Sequence, residues 1–224
     1  YSRFKAPPPA RSISNNDYAR NFIEGFLAAR PSSDTPFCFW LGATEPHRAY
    51  EEGSGLRAGK TIADVEPPGF YPDDEVIRSD MLDYAVEVEH YDTHVGRVIE
   101  HLDAIGELDN TIVVVTSDHG MPFPRVKGQI YEYGFHLPLA IRWGARVKPG
   151  RTVEDFIHVR DFAPTFLQAA GAPIHEQITG GSFLDLLRSD ASGVIDPDSR
   201  NFMLIGKERH DMGRPHDWGY PVRA

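Results

Sequence analysis

A carboxylate, an imidazole and an ammonium group stand close together near the middle of the sequence. Asp118 and His119 follow residues 112–115, which are four consecutive β-branched residues, and Lys127 comes nine residues after the aspartate. A carboxylate oxygen and an imidazole nitrogen can share a divalent cation when further oxygen ligands reach it from elsewhere. The lysine in the following loop adds positive charge for an anion. This pattern predicts part of a metal-assisted site for an anionic substrate.

Each of these residues also has a simpler interpretation. The sequence Asp118-His119-Gly120 is typical of a turn after a strand, in which the aspartate accepts hydrogen bonds from local amides. Most exposed lysines are simply solvated. Arg125 is a neighbouring cation that could exchange roles with Lys127. The metal-assisted site therefore depends on support from the rest of the sequence.

A second apolar run delivers another candidate. Residues 37–42 (FCFWLG) predict a strand, and the loop that follows contains His47. A histidine at the carboxyl end of a strand can donate a hydrogen bond to an anion or protonate a leaving group near neutral pH. An ordinary loop histidine is the alternative interpretation.

The apolar runs also indicate where these groups lie in a fold. Residues 112–115 show no alternation of apolar and polar side chains, which is typical of a strand buried on both faces of a parallel sheet. In open α/β sheets, ligands bind outside the carboxyl ends of the strands. Asp118 and His119 fall at that end. The sequence therefore predicts an α/β protein with its chemistry at one edge of the sheet.

The remaining elements follow from periodicity, caps and breakers. Residues 1–13 contain three consecutive prolines and predict an extended connector. Helices are predicted over about residues 18–27, 74–105, 162–170 and 182–188, with Asp161 as an N-cap, and a further strand over residues 202–205. The long helix is predicted to bury Ile77, Met81, Ala85, Val88, Val95, Ile99, Leu102 and Ile105. No metal is expected at its His90, His94 and His101, because no carboxylate or cysteine ligand pattern accompanies them.

Several segments, taken in order, resemble the sulfatase family of the alkaline-phosphatase-like superfamily. They are FCFWLGATEPHRAY, YDTHVGRVIEHLDAIGELDNTIVVVTSDHG, MPFPRVKGQIYEYG, PLAIRWG and HVRDFAPTFLQAAGA. The short loop with its Pro-Phe-Pro tripeptide is most similar to the heparan N-sulfatase (sulfamidase) branch. The resemblance runs from about Asn16 to the last residue. It implies an α/β fold with a mostly parallel central sheet flanked by helices.

The resemblance implies a role for each matched residue. Asp118 matches an aspartate that binds calcium, and His119 stands where most members have an asparagine ligand. Lys127 matches the cation that binds the sulfate group, and Arg125 beside it is a substrate-binding candidate. His47 matches a histidine that contacts the sulfate and assists departure of the leaving group. In the family, a formylglycine hydrate attacks the sulfur while the metal neutralises the non-bridging oxygens.

A polar cluster follows the last predicted strand. In glycan-directed relatives this region contributes specificity, so the resemblance makes Arg209, His210 and Asp211 substrate-contact candidates. A charged surface turn is the alternative interpretation of the same residues.

One part of the family pattern does not occur in these 224 residues. The nucleophile motif C-x-P-S-R or S-x-P-S-R is not found, and the only cysteine, Cys38, is predicted to be a buried strand residue. Asp73 and Asp74 are predicted to start the long helix, where acidic residues face the helix dipole favourably, and not to bind metal. We therefore expect residues 1–224 to be an incomplete catalytic domain, inactive alone, without the N-terminal part and the C-terminal subdomain. A fragment, a truncated gene product and a protein that has lost catalysis are the explanations left open.

Three functions are compatible with this pattern. The first is hydrolysis of sulfate esters or sulfamates, on a glycan, with a formylglycine located outside this chain. The second is phosphonate monoester or phosphodiester hydrolysis, because related enzymes carry histidine at the position of His119. The third is a non-catalytic sulfatase-like binding protein. The resemblance implies calcium as the metal, whereas the imidazole of His119 suits Mn²⁺, Fe²⁺ or Zn²⁺ better.

Composition limits the partners. The formal net charge of −10 does not favour nucleic-acid binding. No apolar run approaches the ~20 residues that a membrane-spanning helix needs, so no membrane partner is expected. The resemblance implies a sulfated small molecule or glycan as substrate, the remainder of the domain as a partner, and a periplasmic, extracellular or lysosomal location. The single cysteine leaves the redox compartment open.

Overall fold

The computed structural model describes residues 3–207. The chain divides into two compact units, Tyr1–Gly106 and Glu107–Ala224, called here the first and second units. The first unit contains α1 (Tyr18–Arg20, continued by a π-helical turn Asn21–Phe26 and a 3-10 turn Leu27–Ala29), α2 (Ser54–Arg57) and α3 (Glu75–Ala104). The second contains β1 (Val113–Thr116), α4 (Glu132–Phe135), β2 (Leu139–Arg142), α5 (Phe162–Ala169) and α6 (Leu184–Arg188). Within residues 3–207 no helix is both long and apolar enough to cross a membrane.

The first predicted helix is confirmed as α1 and its continuation. The carboxylate of Asp17 accepts a hydrogen bond from the backbone N–H of Arg20 at 2.9 Å, which caps the helix start. Helical backbone ends at Arg30, which is extended because Pro31 follows it.

Residues 37–42 do not form the predicted strand. The ring of Phe39 packs 4.9 Å from that of Phe22 and 4.7 Å from that of Phe26. The alternate side chains point outwards, so Trp40 is 87% exposed and Cys38 is also exposed, which corrects the prediction that this cysteine is buried. A strand needs a neighbouring strand for its backbone hydrogen bonds, and the described part of the first unit contains none.

The predicted long helix is confirmed as α3. Asp74 caps it by accepting a hydrogen bond from the backbone N–H of Ile77 at 2.9 Å, and Gly106 follows its end with a φ of 74°. A left-handed backbone of this kind ends many helices, and glycine adopts it without a Cβ clash.

The buried face of α3 differs from the predicted apolar stripe. Val88 and Ile105 are 38% and 44% exposed, whereas Asp83, Glu87 and His94 are buried. Polar partners explain the difference for Asp83, whose carboxylate accepts hydrogen bonds from the backbone N–H groups of Gly53, just before α2, and Gly55, within it. The spacing of apolar residues along α3 indicated that one face is buried, but hydrogen-bonding partners decided which side chains occupy that face.

The second unit contains a small antiparallel sheet. Strands β1 and β2 pair with Val113 opposite Arg142 and Thr116 opposite Leu139. The strand predicted around residues 112–115 is therefore confirmed, but its neighbour among the described residues is antiparallel, and its side chains are half-buried. The described residues supply one neighbour only, so the second edge of β1 has no strand beside it within residues 3–207.

The core of the second unit lies under α6. Its buried side chains are those of Trp143, Phe183, Leu184, Leu186 and Leu187. The predicted helices are confirmed as α5 and α6, and Asp161 lies at the N-terminus of α5 as predicted, although its side chain accepts from His158 N–H and Gly181 N–H.

The strand predicted over residues 202–205 is not formed. Phe202 and Leu204 are 71% and 82% exposed, and no strand among the described residues pairs with this segment. An apolar run adopts strand structure only when a neighbouring backbone satisfies its hydrogen bonds.

Candidate functional site

Asp118 and His119 lie directly after β1, as the sequence predicted. The imidazole of His119 donates from Nδ1 to the carbonyl oxygen of Gly120 at 2.7 Å. Because a carbonyl oxygen only accepts, the neutral ring carries its proton on Nδ1 and leaves a free lone pair on Nε2. That Nε2 lies 3.6 Å from Oδ2 of Asp118, whose side chain is 85% exposed. One nitrogen and one oxygen donor therefore lie side by side at the end of the strand.

This donor pair fits a shared cation. Two ligands of one metal ion lie roughly 3 to 4 Å apart when each is within normal bonding distance of it. Histidines that bind metals usually donate their other ring N–H to a carbonyl or carboxylate, as His119 does to Gly120. Within residues 3–207, no group of three or more histidine, cysteine, aspartate or glutamate side chains could hold a metal. Two donors alone do not make a metal site, so a cation bound here would need further ligands from elsewhere.

Close backbone packing fixes the turn after His119. The backbone N–H of Gly120 donates to the carbonyl oxygen of Gly134 at 3.2 Å. A Cβ at Gly120 would lie 1.8 Å from the carbonyl oxygen of Tyr133, and one at Gly134 would lie 2.3 Å from the carbonyl oxygen of Gln129. Neither position has room for a side chain. The two glycines therefore hold the Asp118-His119 turn against the loop that follows it.

Lys127 lies in a turn anchored by two apolar side chains. Phe123 and Val126 are 5% and 0% exposed. Lys127, which follows Val126 directly, is half-buried. Arg125 is exposed, has a φ of 64°, and places its guanidinium 5.2 Å from the centre of the Tyr131 ring. The guanidinium of Arg125 therefore contacts an aromatic ring, and Lys127 is the more buried of the two cations.

His47 lies in the first unit, in an exposed loop after residues 37–42. Its Nδ1 donates to the carbonyl oxygen of Arg48 at 2.5 Å, and the side chain as a whole is exposed. The backbone N–H of His47 donates to the carbonyl oxygen of Thr44 at 3.0 Å. Tyr50 closes the loop by donating from its hydroxyl to the carbonyl oxygen of Pro46 at 2.8 Å. The imidazole therefore projects from a defined turn.

The sequence did not indicate the buried carboxylate that precedes this turn. Glu45 is 7% exposed, and Oε2 accepts a hydrogen bond from the hydroxyl of Tyr18 at 2.7 Å. Oε1 accepts from the backbone N–H of Ser14 at 2.7 Å. The only available signal was its position next to Pro46 and His47, since none of its partners is closer than 27 residues in sequence.

Further buried ionisable groups on α3 lie near Glu45. Burial raises the pKa of Glu87, and the negative charge of Glu45 raises it further. Burial lowers the pKa of both His90 and His94, whose rings make an edge-to-face contact at 4.7 Å. Among the described residues, no group of three or more possible metal ligands includes these histidines.

Some predicted site residues are not tested by these observations. Arg209, His210 and Asp211 lie outside the described residues. His47 belongs to the first unit, whereas Asp118, His119 and Lys127 belong to the second. Their convergence on one pocket therefore remains a prediction.

Comparison with known proteins decides the family. The sulfatase family model matches residues 4–172, a range that contains His47, Asp118, His119 and Lys127. This chain belongs to the sulfatase family. The fold is the alkaline-phosphatase-like α/β fold that the sequence predicted, and the described residues carry part of it as helices and a small sheet.

Two curated relatives show how much of a sulfatase this chain covers. An ulvan-active sulfatase of Formosa agariphila is 28% identical over an alignment of 188 residues that covers 81% of this chain and 35% of that protein. The N-sulphoglucosamine sulphohydrolase of Homo sapiens is 28% identical over an alignment of 216 residues that covers 85% of this chain and 42% of that protein. The sulfatase chain thus spans well under half of the length of either relative.

Two solved structures are similar to this sulfatase chain. One is the protein BT4656 in complex with its substrate D-glucosamine-2-N,6-O-disulfate. It has 28% identity and a TM-score of 0.50, and the match covers 67% of this chain and 31% of that chain. The other is the phosphonate monoester hydrolase of Silicibacter pomeroyi, with 30% identity and a TM-score of 0.51 over 70% of this chain and 29% of that chain. Members of the sulfatase family generally use a divalent metal.

Proposed function

We propose that this chain is part of a sulfatase that hydrolyses sulfate esters or sulfamates on a glycan. The observation that carries the proposal is the donor pair after β1, in which Nε2 of His119 and Oδ2 of Asp118 lie 3.6 Å apart, followed by the anchored turn with Lys127. The family match spans all of these residues. A relative named for N-sulfoglucosamine and a structure with a disulfated glucosamine support a sulfated sugar as the substrate.

Each residue has a defined task in this proposal. Asp118 and His119 hold part of the shell of a divalent cation, which neutralises charge on the sulfate oxygens when it is bound. Lys127 and Arg125 attract the sulfate group, and Lys127 stabilises the negative charge that develops in the transition state. In its imidazolium form, which carries N–H on both ring nitrogens, His47 gives the Nε2 proton to the leaving oxygen or nitrogen and becomes the neutral Nδ1–H ring. Arg209, His210 and Asp211 contact the sugar.

The nucleophile comes from outside these 224 residues. In this proposal it is a formylglycine by family resemblance, and it lies outside these residues because they contain no C-x-P-S-R or S-x-P-S-R motif. The metal is calcium by family resemblance. The imidazole of His119 makes manganese, iron or zinc the alternative, because imidazole nitrogen suits these ions better than calcium.

The test uses the whole protein that contains this sequence. Its turnover of a sulfate ester, a sulfamate and a phosphonate monoester is compared under identical conditions, and its metal is measured by mass spectrometry. Lys127→Ala and His47→Ala should each lower sulfate release by about two to four powers of ten. Lys148→Ala, which removes an exposed lysine of the second unit, should change it less than about twofold. Losses below tenfold at both positions would contradict the assigned roles.

The metal is tested separately. Asp118→Ala should abolish metal retention after dialysis, because the cation loses a charged ligand. Asp190→Ala, an exposed aspartate of the second unit, is the matched control and should retain the metal. Equal metal content in the two variants would exclude Asp118 as a ligand.

A second enzymatic function has a specific observation in its favour. The phosphonate monoester hydrolase of Silicibacter pomeroyi is 30% identical over the aligned residues. If the protein turned over only the phosphonate, the proposed function would be phosphonate hydrolysis and not sulfatase activity. Binding of a sulfated glycan without turnover of any of the three substrates would instead indicate a non-catalytic binding protein.

A further inference from the structure

A buried carboxylate lies directly before the loop that presents His47. Glu45 is separated from His47 by one residue and is 7% exposed. Both carboxylate oxygens are occupied, since the backbone N–H of Ser14 and the hydroxyl of Tyr18 each donate to one of them at 2.7 Å. Buried carboxylates are found where such donors offset the loss of solvation. Glu45 therefore ties the start of the His47 loop to a distant part of the first unit.

The hydroxyl of Tyr18 binds the same loop a second time. It accepts a hydrogen bond from the backbone N–H of Thr44 at 3.1 Å while it donates to Glu45. The ring of Tyr18 is buried and packs edge-to-face on His94 of α3 at 5.3 Å. The loop is thereby connected to α3 through one tyrosine.

A backbone hydrogen bond connects the residue held by Tyr18 to His47. The carbonyl oxygen of Thr44, whose N–H is held by Tyr18, accepts the backbone N–H of His47 at 3.0 Å. The main chain of His47 is therefore one hydrogen bond away from a residue held by Tyr18. Its ring is exposed and is oriented by the carbonyl of Arg48 at its own Nδ1.

Hydrogen bonds at the anchor favour an ionised Glu45. Burial raises the pKa of Glu45, but the hydrogen bonds from Tyr18 and Ser14 outweigh it, so the pKa lies below its ordinary value. Glu87 faces it from α3, and burial together with the charge of Glu45 raises the pKa of that second carboxyl group. His90 and His94 are the other titratable groups of α3 that interact with Glu45. One carboxylate is thus held charged beside a partner that retains its proton more readily.

We propose that Glu45 is a positioning residue for His47, acting through its buried hydrogen bonds to Tyr18 and Ser14. The inference rests on the proposed role of His47 in sulfate release. In this role Glu45 orients His47, the general acid for the sulfated substrate, and does not itself touch that substrate. Misplacing a catalytic group by about 1 Å can cost about 100-fold in rate.

A double-mutant cycle on the whole protein tests this role. Glu45→Gln removes the charge and replaces one acceptor oxygen by a donor, so it should lower kcat/KM about 10-fold to 100-fold. In a His47→Ala background the same change should lower it less than about twofold, because there is no imidazole left to position. Glu52→Gln, an exposed glutamate of the same loop, is the matched control and should have no effect. Equal losses with and without His47 would overturn the proposal.

A second readout is independent of turnover. Amide hydrogen exchange of residues 44–50 in the whole protein should be about tenfold faster in Glu45→Gln and in Tyr18→Phe, and unchanged in Glu52→Gln. Unchanged exchange in both anchor variants would also overturn the proposal. Faster exchange combined with full turnover of His47→Ala would support the anchor and refute the catalytic role of His47. Tyr18→Phe keeps the test valid if Glu45→Gln fails to fold.

Discussion

Substitution of Gly120 by alanine tests the geometry that holds the Asp118-His119 turn. The new Cβ would lie 1.8 Å from the carbonyl oxygen of Tyr133 and 2.7 Å from Cγ1 of Val126. Cβ atoms are essentially never found closer than 3.0 Å to such atoms, so the contact with Tyr133 must lengthen from 1.8 Å to at least that distance. The shortest of these contacts is with a main-chain oxygen, which cannot rotate away as a flexible side chain could.

Two costs add up in this variant. Forcing extra atoms into a packed site costs about 1–3 kcal/mol. The shift also stretches the hydrogen bond from Gly120 N–H to the carbonyl oxygen of Gly134, which contributes about 1 kcal/mol. We therefore expect Gly120→Ala to lower the free energy of unfolding by about 2–4 kcal/mol. That is a large fraction of the ~5–15 kcal/mol typical of whole domains.

Urea unfolding followed by circular dichroism measures this loss. Gly206→Ala is the control in the second unit, because a Cβ there meets nothing within 4 Å, and it should change stability by less than about 0.5 kcal/mol. Metal retention should fall with Gly120→Ala, since the carbonyl of Gly120 orients the ring of His119. A Gly120→Ala protein as stable as the control variant would refute the close packing described for this turn.

Two further substitutions test the first unit. Because burial holds the pKa of His94 below its ordinary 6.5, the unfolded chain binds a proton that the folded chain resists. The free energy of unfolding should therefore fall below about pH 6.5 by up to ~1.4 kcal/mol per pH unit, and urea titrations at several pH values should show a shallower dependence in His94→Gln. Asp83→Ala leaves the partly buried N–H of Gly53 and the buried N–H of Gly55 without their acceptor and should cost about 2–4 kcal/mol in urea unfolding, whereas Asp92→Ala at an exposed position should cost less than about 0.5 kcal/mol.

The helices and one strand could be predicted because their signals are local. A cap such as Asp17 or Asp74 lies within three residues of the N–H that it accepts. Gly106, which ends the long helix, likewise acts within one turn. Position along the chain was also sufficient to place Asp118 and His119 at the end of a strand, because they follow it directly.

The failed predictions concern segments whose structure depends on distant partners. Residues 37–42 and 202–205 have strand-like sequences but form no strand, because no neighbouring backbone among residues 3–207 pairs with them. Exposure of Cys38 follows from the same cause. Burial of Asp83 and Glu87 on α3 could not be read from an apolar period, since it depends on the groups that pack against that face.

The sequence by itself determined the family, the order of the helices and the residue types that can hold a cation and an anion. Only the tertiary structure decided how those residues are held. It set the ring orientation of His119 through the Gly120 carbonyl, the space at Gly120 against Tyr133, and the anchor of the His47 loop at Glu45. The physical reason is range. Caps and periodicity act within a few residues, whereas burial and hydrogen bonding join groups that only folding brings together.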